Sequence, residues 1–156
     1  MLPIDIPGFG KLNIRHLVSD FTGTLSIDGC LLPGVQDMLA EVERILDVHV
    51  LTADTFRKAH AELKGVECSL TILSGADIDR QKERYVQGLG PEQVIAIGNG
   101  ANDRLMLKAA RLGIAVIEGE GCAVSALVNA DIAVRGIHEG LSLLLNPQRI
   151  VATLKS

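Results

Sequence analysis

Aromatic side chains are scarce in this chain: there is no tryptophan, one tyrosine and three phenylalanines, 3% of residues in all. Without aromatic platforms for bases to stack on, and with a net charge of −4 and no basic block, a nucleic-acid partner is not expected. The three cysteines, Cys30, Cys68 and Cys122, are odd in number, far apart and free of any CxxC pair. They read as reduced thiols, which excludes a disulfide scaffold and a zinc site. No apolar run approaches the roughly 18–20 residues that cross a bilayer, and the first residues lack the cationic and long apolar pattern of a signal peptide. The chain is expected to be cytoplasmic, with no membrane partner.

What is abundant is aliphatic. Of 156 residues, 47% are hydrophobic, chiefly Leu, Ile, Val and Ala, a mix that suits a parallel sheet buried between helices. The pattern predicts a single domain over residues 1–156, of α/β class, with a doubly wound, Rossmann-like parallel sheet, helices on both faces and right-handed crossovers. At most a short edge strand, Leu2–Ile6, precedes a core strand entering through Ile14–Val18. Asp28-Gly29 between Leu25–Ile27 and Cys30–Leu32 is a tight-hairpin signal, placing a small flap over Asp20. Helix follows Pro33-Gly34, with Val35, Met38, Leu39, Val42, Ile45 and Leu46 on one face. Further strands are expected at Val48–Leu51, Val66–Leu73, Val94–Ile97, Ile114–Ile117 and Ile132–Val134. The intervening helices run to Leu63 (capped by Asp54), over Ala76–Leu89, to about Leu112, and near Cys122–Val128. Two more close the chain at Ile137–Leu145 and Pro147–Leu154.

The chemistry gathers where these strands end. Asp20 closes the first core strand, and Thr22, Gly23 and Thr24 follow in a turn whose amides and oxygens suit a phosphoryl group; an Asp that merely ends a strand is the alternative. Thr52 ends the second strand before a helix, where a hydroxyl and free amides can hold a phosphate oxygen or simply cap the helix. Lys82 falls within the apolar stripe Ile78, Tyr85, Val86, Leu89, so it either snorkels to an edge or reaches an anion. Gly98-Asn99-Gly100-Ala101-Asn102-Asp103 offers flexible backbone and oxygen ligands of the kind Mg²⁺ prefers, or a turn capped by Asp103. The four histidines, His16, His49, His60 and His138, show no ligand spacing.

Together DFTGTL, VLTAD, the lysine of QKERYV and GNGAND resemble the four ordered motifs of the haloacid dehalogenase-like superfamily. More narrowly, they are similar to the phosphorylation domain of P-type cation ATPases, with its DKTGT, TGD-type, lysine and GDGxND signatures. The resemblance spans roughly residues 14–117. It implies Asp20 as a nucleophile that becomes an aspartyl phosphate, with Thr22, Thr52 and Lys82 completing the catalytic set. Thr52, Ala53, Lys82 and Asn102 would bind the phosphoryl group. Asp20, the main-chain carbonyl of Thr22, Asn99 and Asp103 would hold Mg²⁺.

Two departures qualify that picture. Thr22 stands two after the nucleophile, where the family's phosphatases carry a general acid/base Asp, so hydrolysis is expected to be slow. Asn99 stands where the family usually has an acid, which removes one negative charge from the metal site. Between Asp20 and Thr52, and between Thr52 and Lys82, the chain is too short for an inserted nucleotide-binding or cap domain. A capless member implies an open site, covered by a second copy of the chain in a homo-oligomer or acting on a large substrate, so the phosphorylated partner is a small molecule or a phosphoprotein. Two rival functions remain at this stage: a non-enzymatic, phosphoryl-binding or regulatory domain, and a dinucleotide module built on Gly119-Glu120-Gly121, which lacks the third glycine of that fingerprint.

Overall fold

A computed structural model describes residues 1–53 and 57–156. Its strands are β1 (Leu2–Ile6), β2 (Gly10–Ile14), β3 (His16–Asp20), β4 (Ser26–Ile27), β5 (Cys30–Leu31), β6 (Asp47–Thr52), β7 (Ser69–Ile72), β8 (Val94–Gly98), β9 (Leu112–Val116) and β10 (Ile132–Val134). Its helices are α1 (Val35–Val42), α2 (Lys58–Glu62), α3 (Ile78–Leu89), α4 (Arg104–Ala109), α5 (Val124–Leu127), α6 (Ile137–Leu145) and α7 (Gln148–Leu154). Six strands form one sheet in the order β10-β9-β8-β3-β6-β7, and every neighbouring pair is parallel.

Because a parallel sheet needs crossovers, helices cover both faces, and each central strand is apolar on both sides. Leu17, Val50, Ile95 and Ile97 pack with α1, α6 and α7 in one core. Val18, Leu51, Ala96 and Val94 pack with Val86, Met106, Leu107 and Ala126 in the other. β6, the next strand of this sheet in the chain, lies on one side of β3 and β8 on the other, so the sheet changes direction at β3/β8. Open α/β sheets bind ligands at the carboxyl ends of the strands flanking such a point.

The expected architecture is present, with local corrections. The chain's first strand does not stand alone: β1 and β2 form an antiparallel hairpin, Ile4 opposite Leu12, which buries Ile4, Ile6, Leu12 and Ile14. The expected run Ile14–Val18 is therefore divided at Arg15, whose amide bonds to the Gln93 carbonyl. The third strand of the parallel sheet is shorter than Val66–Leu73 because only Ser69–Ile72 finds partners on β6. Helix α3 starts at Ile78 and not Ala76, behind a left-handed Asp77. The helix expected to reach Leu112 ends at Ala109, because Ala110 turns extended and Leu112 already pairs with Ile95. Asp54, expected as a helix cap, lies outside the described residues. Among the described residues, no helix is long and apolar enough to cross a membrane.

Candidate active site

Three strand ends converge at the switch point. β3 ends in Asp20, β6 in Thr52 and β8 in Gly98. They open on a cavity of about 310 Å³ lined by Asp20, Thr22, Thr52, Ala53, Lys82, Asn99, Gly100 and Asn102. Seven of these eight were read from the sequence, and Gly100 is added by its position in the last motif. Asp103, the remaining expected residue, is fully buried and does not line the cavity.

The turn after Asp20 is organised by one carbonyl. Phe21 O accepts from the amides of Thr24, Leu25 and Ser26 at 3.2, 3.0 and 3.1 Å and from the Ser26 hydroxyl at 3.0 Å. Gly23 takes φ +77°, and a Cβ there would lie 2.5 Å from Asn99 Nδ2, so both conformation and space require glycine. Thr24, expected in the turn around a phosphoryl group, is buried. Its Oγ1 lies 3.3 Å from Asp20 Oδ2 and 3.1 Å from Asn99 Oδ1, so one hydroxyl links the first and last motifs.

Lys82 sits on the buried face of α3, 1% exposed. Its ammonium spends its three protons on three oxygens: Asp103 Oδ1 at 2.7 Å, Asp20 Oδ1 at 2.8 Å and Asn102 Oδ1 at 3.1 Å. Of the two readings left open for this lysine, the structure shows the anion-reaching one. Asp103 is held as firmly from its other side, where Oδ2 accepts from the amides of Asn99 at 3.0 Å and Gly100 at 2.9 Å. Behind it, Gly98 leaves no room: a Cβ would fall 2.6 Å from Asp103 Cγ. Both Asp103 oxygens thus have partners within the protein, and Lys82 links this residue to the cavity.

Two carboxylates around one ammonium leave the trio with a net charge of −1 when all are ionised. Burial, and then the Asp103 charge, raise Asp20 from 3.8 to about 7 against the pull of Lys82. Burial alone would lower the Lys82 pKa, but Asp20 and Asp103 outweigh it and the ammonium is held charged. Among the described residues, no group of three or more His, Cys, Asp and Glu stands close enough to hold a metal ion. The oxygen-bearing side chains that line the cavity include the Asp20 carboxylate and the Asn99 amide.

The hairpin β4–β5 forms as expected, with Asp28 at φ 53° and Gly29 at φ 80° in its turn. No residue of the hairpin lines the cavity. Instead it is tied sideways, Asp28 N to Glu120 Oε2 at 3.2 Å, Leu31 N to Glu62 Oε2 at 3.0 Å, and Lys58 Nζ to Asp28 O at 3.3 Å. Gly119-Glu120-Gly121 is turn structure, closed by a Glu118–Gly121 bridge, and Glu118 Oε2 accepts from the Ile137 amide at the start of α6. The turn's groups are thereby committed to the hairpin and to α6.

Residues 84–126 match the family model of haloacid dehalogenase-like hydrolases. An uncharacterized protein of Methanocaldococcus jannaschii is 50% identical over 62 residues, 40% of this chain and 67% of that protein. A relative from Archaeoglobus fulgidus, named "Probable copper-exporting P-type ATPase", is 31% identical over 104 residues, 65% of this chain but 13% of that protein. Among solved structures, the 3-deoxy-D-manno-octulosonate 8-phosphate phosphatase of Moraxella catarrhalis superposes with a TM-score of 0.69 at 18% identity. The match covers 89% of this chain and 90% of the phosphatase, whose crystal contained magnesium, phosphate and the sugar acid. The chain is thus similar to haloacid dehalogenase-like hydrolases over the segment that carries the last of the four motifs, and it shares its fold with the octulosonate phosphatase.

Proposed function

We propose that the chain is a Mg²⁺-dependent phosphohydrolase or phosphotransferase that works through an aspartyl phosphate on Asp20. The observation that carries this reading is the pairing of Asp20 with a buried lysine in the cavity: Oδ1 lies 2.8 Å from Lys82 Nζ, and Thr52, Ala53 and Asn102 share the walls. In the first half-reaction an Asp20 oxygen bonds to phosphorus and the bond from phosphorus to the leaving oxygen breaks, the departing oxygen taking a proton from solvent. In the second, a water oxygen bonds to phosphorus, the bond to Asp20 breaks and phosphate leaves. Lys82 holds Asp20 in place and offsets charge on the phosphoryl oxygens, while the Thr52 hydroxyl, the Ala53 amide and the Asn102 side chain position them.

The donor set fits a hard divalent cation. Asp20, the Thr22 main-chain carbonyl and the Asn99 amide oxygen would hold it, and among the described residues neither sulfur nor imidazole lines the cavity. Asp103, expected beside them, would support the set indirectly through Lys82 and the Asn99 amide. Bound there, Mg²⁺ would supply positive charge to the transferring phosphoryl group.

Among the described residues, Asp20 is the one carboxylate that lines the cavity, and none of them offers a second acid to protonate a leaving group or activate water. With Thr22 in that place, the aspartyl phosphate is long-lived and good leaving groups are preferred. The test is acid-quenched incubation with acetyl phosphate and Mg²⁺, read by intact mass. One added phosphoryl group is expected in the wild type and none in Asp20→Asn; phosphate release at the wild-type rate by purified Asp20→Asn would refute the reading.

A further inference from the structure

The catalytic cavity has a larger neighbour. A second cavity of about 790 Å³ lies between α2, the end of β7 and the start of α3, and three placements set it against the Asp20 pocket. Ala53 lines both. Ile72, on its wall, is in ladder register with Thr52, one strand spacing of about 4.8 Å away. Ile78, also on its wall, precedes Lys82 by one helical turn, and residues at i and i+4 share a helix face.

The chemistry of the two cavities differs. Leu70, Ile72, Leu73 and Ile78 give the second an apolar wall, and Ile72 is left 48% exposed at a sheet end where ligands bind. Among the described residues, one guanidinium, Arg57, and one imidazole, His60, are its titratable groups. Small-molecule sites are built this way, at roughly 300–1,000 Å³ with an apolar lining and a few polar groups that fix orientation. A phosphoryl group alone needs only the polar pocket.

We propose that this second cavity receives the leaving group, and that the substrates are phosphomonoesters of an apolar alcohol or phenol bearing an acceptor that faces Arg57. The assignment rests on the phosphohydrolase reading above and adds the substrate class to it. Desolvation of the apolar body against Leu70, Ile72 and Ile78 supplies binding, while Asp20, Lys82 and Asn102 hold the phosphoryl end.

The test compares two non-hydrolysable ligands by calorimetry with Mg²⁺ present, (1-naphthyl)methylphosphonate and methylphosphonate, beside acetyl phosphate hydrolysis. The wild type is expected to bind the naphthyl compound about tenfold more tightly, a difference of about 1.4 kcal/mol. Ala61→Trp fills the cavity from an exposed position on α2, and Ile72→Asp places a charge on its wall. Each should erase the naphthyl preference while methylphosphonate affinity and acetyl phosphate hydrolysis stay at wild-type values. Equal affinities in the wild type, or a preference that survives both variants, overturns the proposal. If one variant loses methylphosphonate as well, it has lost its fold and the other decides. A cavity-dependent naphthyl preference without any acetyl phosphate hydrolysis would instead refute the phosphohydrolase reading and leave the cavity as a ligand site.

Discussion

β3 delivers a polar side chain into the interior at each of its ends, and the two settings contrast. At the carboxyl end Asp20 meets Lys82 and Asp103, three ionisable groups with unbalanced charge beside a cavity. At the amino end His16 Nδ1 lies 3.1 Å from His49 Nε2, and His49 Nδ1 lies 2.9 Å from the Tyr85 hydroxyl. That second chain runs between groups that are satisfied while neutral, and exposed Asp47 stands 3.5 Å from His16. A neutral chain is an economical way to bury polar atoms; a charged trio is costly and persists where its charge has work to do. The contrast separates a site from a structural network on one strand.

The largest expected effect comes from breaking the charged end. Asp20→Asn should reduce phosphate release from acetyl phosphate to background, while circular dichroism shows the fold preserved. Next, Lys82→Met should lower turnover by about 10²–10³-fold. It should also cost about 3–5 kcal/mol in urea unfolding, because two buried carboxylates lose their counter-charge. The matching change at the neutral end, Tyr85→Phe, should cost about 1 kcal/mol, the net worth of one hydrogen bond, and leave turnover unchanged. Equal stability losses in the two variants would remove the contrast. Thr22→Asp should speed decay of the phosphoenzyme by up to ~10²-fold in acid-quenched single turnover; decay no faster than wild type, with Mg²⁺ bound, would clear Thr22 of limiting the reaction.

A smaller effect distinguishes the two ends by sign. Asp20 is raised from 3.8 to about 7 by burial and Asp103, so in metal-free protein the native state holds a proton that the unfolded state has released. Its contribution to stability is therefore full below about pH 4 and lost as pH rises toward 7. His49 is lowered from 6.5, by burial first and His16 second, against the opposing effect of Asp47. There the unfolded state binds the proton more readily, so stability is present above pH 6.5 and lost on acidification through and below that value. Melting curves of the metal-free protein from pH 4.5 to 8 should show Asp20→Asn flattening the neutral limb and His49→Gln flattening the acid limb. A variant that shifts both limbs together would contradict the separation.

The sequence conveyed the architecture because each central strand is a short aliphatic run and each run stops in polar, glycine-bearing residues. It conveyed the cavity because ordered motifs fall at those stops. Orientation was harder to see. Nothing in the spacing of Lys82 and Asp103 says that the second turns inward and is consumed by the first. Thr24 likewise gave no sign that its hydroxyl would join Asp20 to Asn99. The β1–β2 hairpin was missed because Pro3, Pro7, Gly8 and Gly10 drew more weight than the alternation of Ile4 and Ile6 against Leu12 and Ile14. Leu112 suited either helix or strand, as short apolar runs do, and its pairing with Ile95 decided it.

Gly98 sets a limit on how this chain can vary. Its backbone is outside the left-handed region, so alanine would be conformationally acceptable there, and a survey of dihedral angles would mark the position as permissive. The obstacle is the Asp103 carboxyl carbon, 2.6 Å from where a Cβ would stand. Displacing it would loosen the amide clasp on Asp103 and, through Lys82, the seat of Asp20. In a saturation library screened for phosphate release, position 98 should return glycine alone, whereas Gly88, with nothing within 4 Å of its added Cβ, should accept many residues. A lineage can rebuild the surface of α3 freely, while one absent methyl group at the end of β8 remains a fixed condition of the chemistry.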